Sequence, residues 1–265
     1  MKLKYFLPFL VSIVLTNCSD DIQILEEKIK FQAEKNNNEM SKVEVKKAAL
    51  YLSAWSKADF YQEAIDEFLD EDIANPPPQN SILFTGSSSI RFWKTLQEDM
   101  KPLVTLNRGF GGAHIAHVNY HFEDVVKKYN PKGIVFFCGT NDIAALKGPK
   151  ETLSDLNIFI NKVKSNLPNV PIFIIGIKPT TAREYLRDEE IQYNQAISNM
   201  SEEDNLVTYI DIWEAMLNED GQPNSNLFVE DNLHINADGY KIWTSIVRKE
   251  LSNYCLLYTS DAADE

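Results

Sequence analysis

The sequence predicts an α/β protein, a three-layer α/β/α sandwich built on a five-stranded, mostly parallel sheet. Five short apolar runs, Ser81 to Thr85, Leu103 to Leu106, Gly133 to Cys138, Val170 to Ile177 and Leu206 to Ile210, are continuous rather than alternating, as in strands buried on both faces. Helical patterns separate and follow them, over Ile90 to Met100, Ile115 to Tyr129, Thr152 to Ser165, Glu189 to Asn199 and Ala237 to Leu251. Right-handed crossovers place such helices on both faces of the sheet. The length of 265 residues, 44% of them hydrophobic, suits one large domain or two small ones with a substantial core.

In chain order, residues 1–17 read as an export signal. Lys2 and Lys4 precede an apolar run from Tyr5 to Leu15 that is too short to span a bilayer comfortably. Leu15-Thr16-Asn17-Cys18 resembles a bacterial lipobox, which implies lipidation of Cys18, although Asn17 stands where a small residue is usual. Acyl chains contribute about 0.8 kcal/mol per buried methylene, so several together anchor a protein to a membrane. The expected location is therefore periplasmic or cell-surface.

Residues 18–41 are polar, carry Asn36-Asn37-Asn38 and read as a tether with transient helix. Ala48, Leu52, Trp55, Phe60, Ile65, Phe68 and Leu69 recur at near-helical spacing, which predicts an N-terminal helical extension over 42–79 of a domain spanning 42–254. Pro76-Pro77-Pro78 ends any helix there and introduces the first strand. Residues 255–265 show no helical or strand period, and their back-translation resembles a transposon-derived sequencing adapter, so the natural protein is expected to stop contributing near Tyr254.

A net charge of −13 excludes a duplex nucleic-acid binder, which gains affinity by neutralising phosphates with basic side chains. Cys18, Cys138 and Cys255 are too few and too scattered for a disulfide framework or a CxxC metal site. Cys138, inside an apolar run, reads as a small buried hydrophobe.

Reactive groups in open α/β sheets gather beyond the carboxyl ends of the strands. There this chain carries Gly86-Ser87-Ser88-Ser89, then Asn107-Arg108-Gly109-Phe110-Gly111-Gly112, then Gly139-Thr140-Asn141-Asp142, and near its end Asp231-Asn232-Leu233-His234. A serine at a helix start meets free backbone N–H groups, glycines let the backbone approach a ligand, and a carboxylate three residues before a histidine can reach its ring.

In this order, from about Ile82 to Trp243, the segments resemble the four sequence blocks of the SGNH hydrolases, or GDSL-type esterases. Gly-Ser-Ser-Ser-Ile-Arg-Phe-Trp is similar to bacterial members akin to platelet-activating-factor acetylhydrolase subunits. The resemblance implies a flavodoxin-like fold, Ser88 as nucleophile, Asp231 and His234 as acid and base, and an oxyanion hole of Ser88, Gly112 and Asn141. Family members often carry Asp where Ser87 stands, which leaves Ser87 and Ser89 as alternative nucleophiles.

The physical roles follow from the residue types. A serine hydroxyl needs a base, and neutral imidazole suits neutral pH. His234 takes the proton from Ser88 and returns it to the leaving alcohol, Asp231 orients the ring, and N–H donors meet the oxyanion. No metal or other cofactor is required. His114, His117 and His121, with Glu123 or Asp124 nearby, form a competing zinc reading, weakened by their spread over two helical turns.

The expected substrates are small-molecule or glycan esters, with short acyl groups on carbohydrate preferred because no sequence suggests a greasy lid. Arg91, Trp93 and Arg183 are candidate substrate contacts, with Trp93 read chiefly as core. A lysophospholipase or lipase-type activity, and a non-catalytic surface lipoprotein that binds glycan or acyl ligands, are the alternatives.

Overall fold

The computed structural model describes residues 7–261, with side-chain surroundings for 21–253. The signal segment 1–17, the Cys18 thiol and the tail over 255–265 lie outside the residues described with side chains. Among the described residues, no helix is long and apolar enough to cross a membrane.

The chain divides into two compact units, Met1–Phe60 and Tyr61–Glu265. In the first, α1 (Leu7–Lys35) packs against α2 (Lys42–Trp55). The stretch read as a tether is therefore helical up to Lys35, and Ile29 and Ala33, one helical turn apart, are buried. A reciprocal cap starts α2: the Glu44 N–H donates to Ser41 Oγ at 3.3 Å while the Ser41 N–H donates to Glu44 Oε2 at 2.8 Å.

The second unit begins with α3 (Gln62–Ala74) and then alternates strands and helices. It runs through β1 (Ile82–Gly86), α4 (Ser88–Arg91), α5 (Leu96–Asp99), β2 (Thr105–Gly109), α6 (Ile115–Tyr120), α7 (Phe122–Val125) and β3 (Gly133–Phe137). It continues with α8 (Thr140–Ala144), α9 (Pro149–Asn166), β4 (Ile172–Ile175), α10 (Arg187–Glu202), β5 (Val207–Ile210) and α11 (Ala237–Asp261). The strands form one five-stranded sheet in the order β2-β1-β3-β4-β5, and every neighbouring pair is parallel.

Alternation along β3 shows why the apolar runs are continuous. Ile134 and Phe136 enter one core with Phe159 and Val163 of α9, while Val135 and Phe137 enter the other with Trp93 and Trp243. Successive strand side chains point to opposite faces, so a strand covered on both sides needs apolar residues at every position.

Three further elements differ from the sequence reading. The helix expected over Ile90 to Met100 is two single turns, because the Ile90 carbonyl accepts from the Trp93 N–H at 3.0 Å and from Asn107 Nδ2 at 2.6 Å. The helix expected over Ile115 to Tyr129 breaks at His121 into α6, α7 and a 3-10 turn over Lys127–Tyr129. The second strand extends to Gly109 through Asn107 and Arg108, which the sequence placed in a loop. Arg108 is tolerated there because it is buried in an ion pair with Asp72 of α3, and its Nε donates to Tyr129 Oη at 2.8 Å.

Candidate active site

The first block begins where β1 turns into α4. Gly86, at φ +121°, lies so close to β3 that a Cβ would stand 2.1 Å from the Phe137 carbonyl oxygen, which excludes every other residue. The turn leaves Ser88 half-buried, with Ser87 and Ser89 buried on either side. Ser88 Oγ lies 2.8 Å from His234 Nε2. Ser87 Oγ has no hydrogen-bond partner among the described residues, and Ser89 Oγ accepts from Lys178 Nζ at 3.1 Å. Of the three serines, Ser88 is the one paired with the imidazole.

The last block supplies that imidazole from the loop before α11. His234 Nδ1 is 2.6 Å from Asp231 Oδ2, and Asp231 Oδ1 accepts from the N–H groups of Leu233 and His234 at 2.9 and 2.8 Å. Partial burial works against the charged form of Asp231, but the hydrogen bonds from His234 and Leu233 outweigh it and hold the carboxyl below its ordinary value. Phe92 stands edge-on to the His234 ring, with centroids 5.0 Å apart, and is 40% exposed. It forms part of the rim beside Ser88.

The second and third blocks follow the carboxyl ends of β2 and β3, the two strands that flank β1. Asn107 couples the first two, since its Oδ1 accepts from the Gly109 N–H at 3.0 Å while its Nδ2 holds Ile90. Gly111, at φ +33°, and the half-buried Gly112 pass under Tyr61, and the Gly112 N–H donates to Tyr61 Oη at 2.9 Å. The buried Asn141 donates from Nδ2 to the Ala113 carbonyl at 3.1 Å and accepts from Arg183 Nη2 at 3.0 Å.

Asp142, fully buried, binds the Ile115 N–H through both oxygens at 3.3 and 3.1 Å and faces Lys147 at 3.3 Å. Burial pushes its carboxyl up to about 7 despite those partners. Behind the serine turn, burial pushes Lys178 down to about 7 and Glu190 up to about 8.

Sequence reasoning singled out Ser88, Gly112, Asn141, Asp231 and His234, included Phe92 and Asn107 in its motifs without giving them a role, and missed Tyr61, Lys178 and Glu190. Trp93 is buried as expected, with Nε1 donating to Asp99 Oδ2 at 2.7 Å. Cys138 is buried, its Sγ 3.2 Å from the Ala113 carbonyl oxygen.

The three histidines of the zinc reading are packed among aromatic neighbours. His114 and His117 stack at 4.8 Å, and His121 meets the rings of Tyr120 and Phe110 edge-on. His117 Nδ1 accepts from the His114 N–H at 2.9 Å. Among the described residues, no group of three or more His, Cys, Asp or Glu is placed to hold a metal ion. A cavity of about 570 Å³, lined by residues including Phe68, Arg91, Lys94 and Arg108, has none of Ser88, Asp231 and His234 in its wall.

Residues 80–242 match the GDSL-like lipase/acylhydrolase family. The chain belongs to this family. As a GDSL-like hydrolase it shares its fold with a Streptococcus pneumonia protein named after platelet activating factor, at a TM-score of 0.66 and 20% identity over 80% of this chain and 100% of the other. A GDSL-like lipase from Bacteroides thetaiotaomicron superposes at 0.62 with 18% identity, over 72% of this chain and 98% of that one. An acetyl-xylooligosaccharide esterase from Geobacillus superposes at 0.54 with 15% identity, over 65% and 94%. No curated protein matches the GDSL-like hydrolase by sequence.

Proposed function

We propose that this GDSL-like hydrolase cleaves carboxylic esters through an acyl-enzyme on Ser88. The observation that carries the reading is the continuous chain of contacts from Ser88 Oγ to His234 Nε2 at 2.8 Å and from His234 Nδ1 to Asp231 Oδ2 at 2.6 Å. Both distances lie in hydrogen-bond range for a nucleophile, its base and the group that orients the base.

Ser88 Oγ attacks the ester carbonyl as His234 takes its proton, and Asp231 favours the imidazolium that forms. The oxyanion is met by the N–H groups of Ser88 and Gly112 and by Asn141 Nδ2. Collapse of the intermediate expels the alcohol, protonated by His234. Water, activated by the same imidazole, then releases the acid and restores Ser88.

Short acyl groups on carbohydrate are the proposed substrates. Supporting this, Ser88 and His234 stand at a half-buried rim beside the exposed Phe92, an aromatic face of the kind sugars stack on, and the fold is similar to that of an acetyl-xylooligosaccharide esterase. Lysine-flanked export signalling and a lipid on Cys18 are proposed to hold the enzyme at a membrane, on the strength of the first eighteen residues alone.

The test is turnover of p-nitrophenyl esters of increasing chain length and of acetylated xylo-oligosaccharides by the wild type and by Ser88→Ala. Hydrolysis of acetyl esters by the wild type alone supports the reading. Equal hydrolysis by Ser88→Ala contradicts it, and a preference for long acyl chains returns the lipase-type alternative.

A further inference from the structure

We propose that Arg183 is a positioning residue that fixes the Asn141 amide for oxyanion binding, an inference that rests on the acyl-transfer reading above. The two ends of a side-chain amide have opposite polarity. Rotated by half a turn, Asn141 would present oxygen where negative charge develops, and a donor would become a repulsive acceptor.

The contacts at the two ends select one orientation. Nδ2 donates to the Ala113 carbonyl at 3.1 Å, and Oδ1 accepts from Arg183 Nη2 at 3.0 Å. A guanidinium has donors and no acceptor, so it can face only the oxygen end, and its charge makes that preference stronger than a neutral partner would. The same charge draws electron density towards Oδ1, which makes the NH2 group a better donor.

The grip extends to the backbone. Arg183 Nη1 donates to the Thr140 carbonyl at 3.0 Å and to Thr140 Oγ1 at 2.9 Å, so one planar fork spans the first turn of α8. The segment that carries Arg183 is also tied to the loop of Asp231 and His234. Arg183 sits at a kink, φ −126° and ψ 22°, inside the 3-10 segment Thr181–Leu186, and the adjacent Ala182 N–H donates to the Asn232 carbonyl at 3.3 Å. Asn232 lies between Asp231 and His234 in the chain. A single short segment thus contacts both the amide and the acid–base loop, and Arg183 is engaged with protein groups where the sequence had offered it to substrate.

The experiment is a double-mutant cycle on the full-length chain with p-nitrophenyl acetate, using Arg183→Met in wild-type and Asn141→Ala backgrounds. In the wild-type background kcat is expected to fall about 10- to 100-fold with KM nearly constant, short of the loss expected for removing the donor itself. In the Asn141→Ala background the same change is expected to cost less than about twofold, as for a residue acting through its neighbour. An unchanged kcat for Arg183→Met, or an equal loss in both backgrounds, overturns the proposal.

Arg183→Lys, which keeps the charge and loses the fork, is expected to give an intermediate kcat and carries the test if the methionine variant does not fold. A crystal structure of the variant gives a readout independent of turnover. Asn141 displaced from the Ala113 carbonyl supports the proposal, and an unmoved side chain contradicts it. A wild type without esterase activity would sink the proposed function and leave Arg183 to be judged by that structure.

Discussion

Ser88, His234 and Asp231 contact one another side chain to side chain at 2.8 and 2.6 Å, at a partly exposed rim. Gly112 and Asn141 instead direct their donors at protein acceptors, Tyr61 Oη and the Ala113 carbonyl, at 2.9 and 3.1 Å. The first half of the site is assembled before substrate arrives. On the proposed mechanism the second half is a set of braced donors, one of which, the Gly112 N–H, exchanges a protein acceptor for the oxyanion. Damage to the proton-transfer half should therefore abolish chemistry, whereas changes in the donor half should be graded and in one case opposite in sign.

The largest expected effect is in the first half. His234→Ala should lower kcat by roughly 10⁴- to 10⁶-fold with unchanged far-UV circular dichroism, since it removes the proposed base. In the donor half, Asn141→Ala should lower kcat by about 10²- to 10³-fold while KM changes far less, because the contact strengthens as charge develops. Steady-state kinetics on one chromogenic ester separates the two patterns, and an equally severe loss in both variants would erase the contrast.

Tyr61→Phe should act in the opposite direction. Removing the hydroxyl releases the Gly112 N–H from its acceptor, and kcat/KM is expected to rise about 2- to 10-fold, the scale of one net hydrogen bond. A fall in kcat/KM would show that the phenol helps the reaction instead of competing with it.

The smallest effect concerns the buried charges behind the site. Glu190 has a folded value of about 8, raised chiefly by burial from an ordinary 4.5, so the folded state binds more protons than the unfolded state between those values. Its favourable contribution is complete below about 4.5 and is lost as pH rises through about 8. Glu190→Gln should flatten the decline of Tm across that window, measured by calorimetry at several pH values. An unaltered slope would mean that Lys178 and Arg183 balance the carboxylate fully.

The central strands were legible because burial on both faces demands uninterrupted apolar residues, as in Gly133 to Phe137. The candidate site residues stood out in the sequence because acyl-transfer chemistry restricts residue type, which makes Gly86-Ser87-Ser88 and Asp231-Asn232-Leu233-His234 recognisable in combination, and the structure brings Ser88, His234 and Asp231 into contact. The breaks after Arg91 and at His121 were not legible, since no glycine or proline marks them and the first involves a tertiary hydrogen bond from Asn107 to the Ile90 carbonyl.

The donor half depended on contacts far apart in the chain. Tyr61 meets Gly112 across 51 positions and Arg183 meets Asn141 across 42, and neither tyrosine nor arginine carries a local pattern that announces such a partner. The helix up to Lys35 was missed although Ile22, Leu25, Ile29 and Ala33 recur at helical spacing and are half-buried or buried along one face, because charged and amide residues surround that narrow stripe.

Labelling with a serine-reactive fluorophosphonate, followed by fragmentation mass spectrometry of the Gly86-to-Arg91 peptide, tests the nucleophile most directly. A single adduct on Ser88, formed in step with loss of ester hydrolysis and absent from His234→Ala, is the predicted result. An adduct on Ser87 or Ser89, or full activity after complete labelling of Ser88, would contradict it.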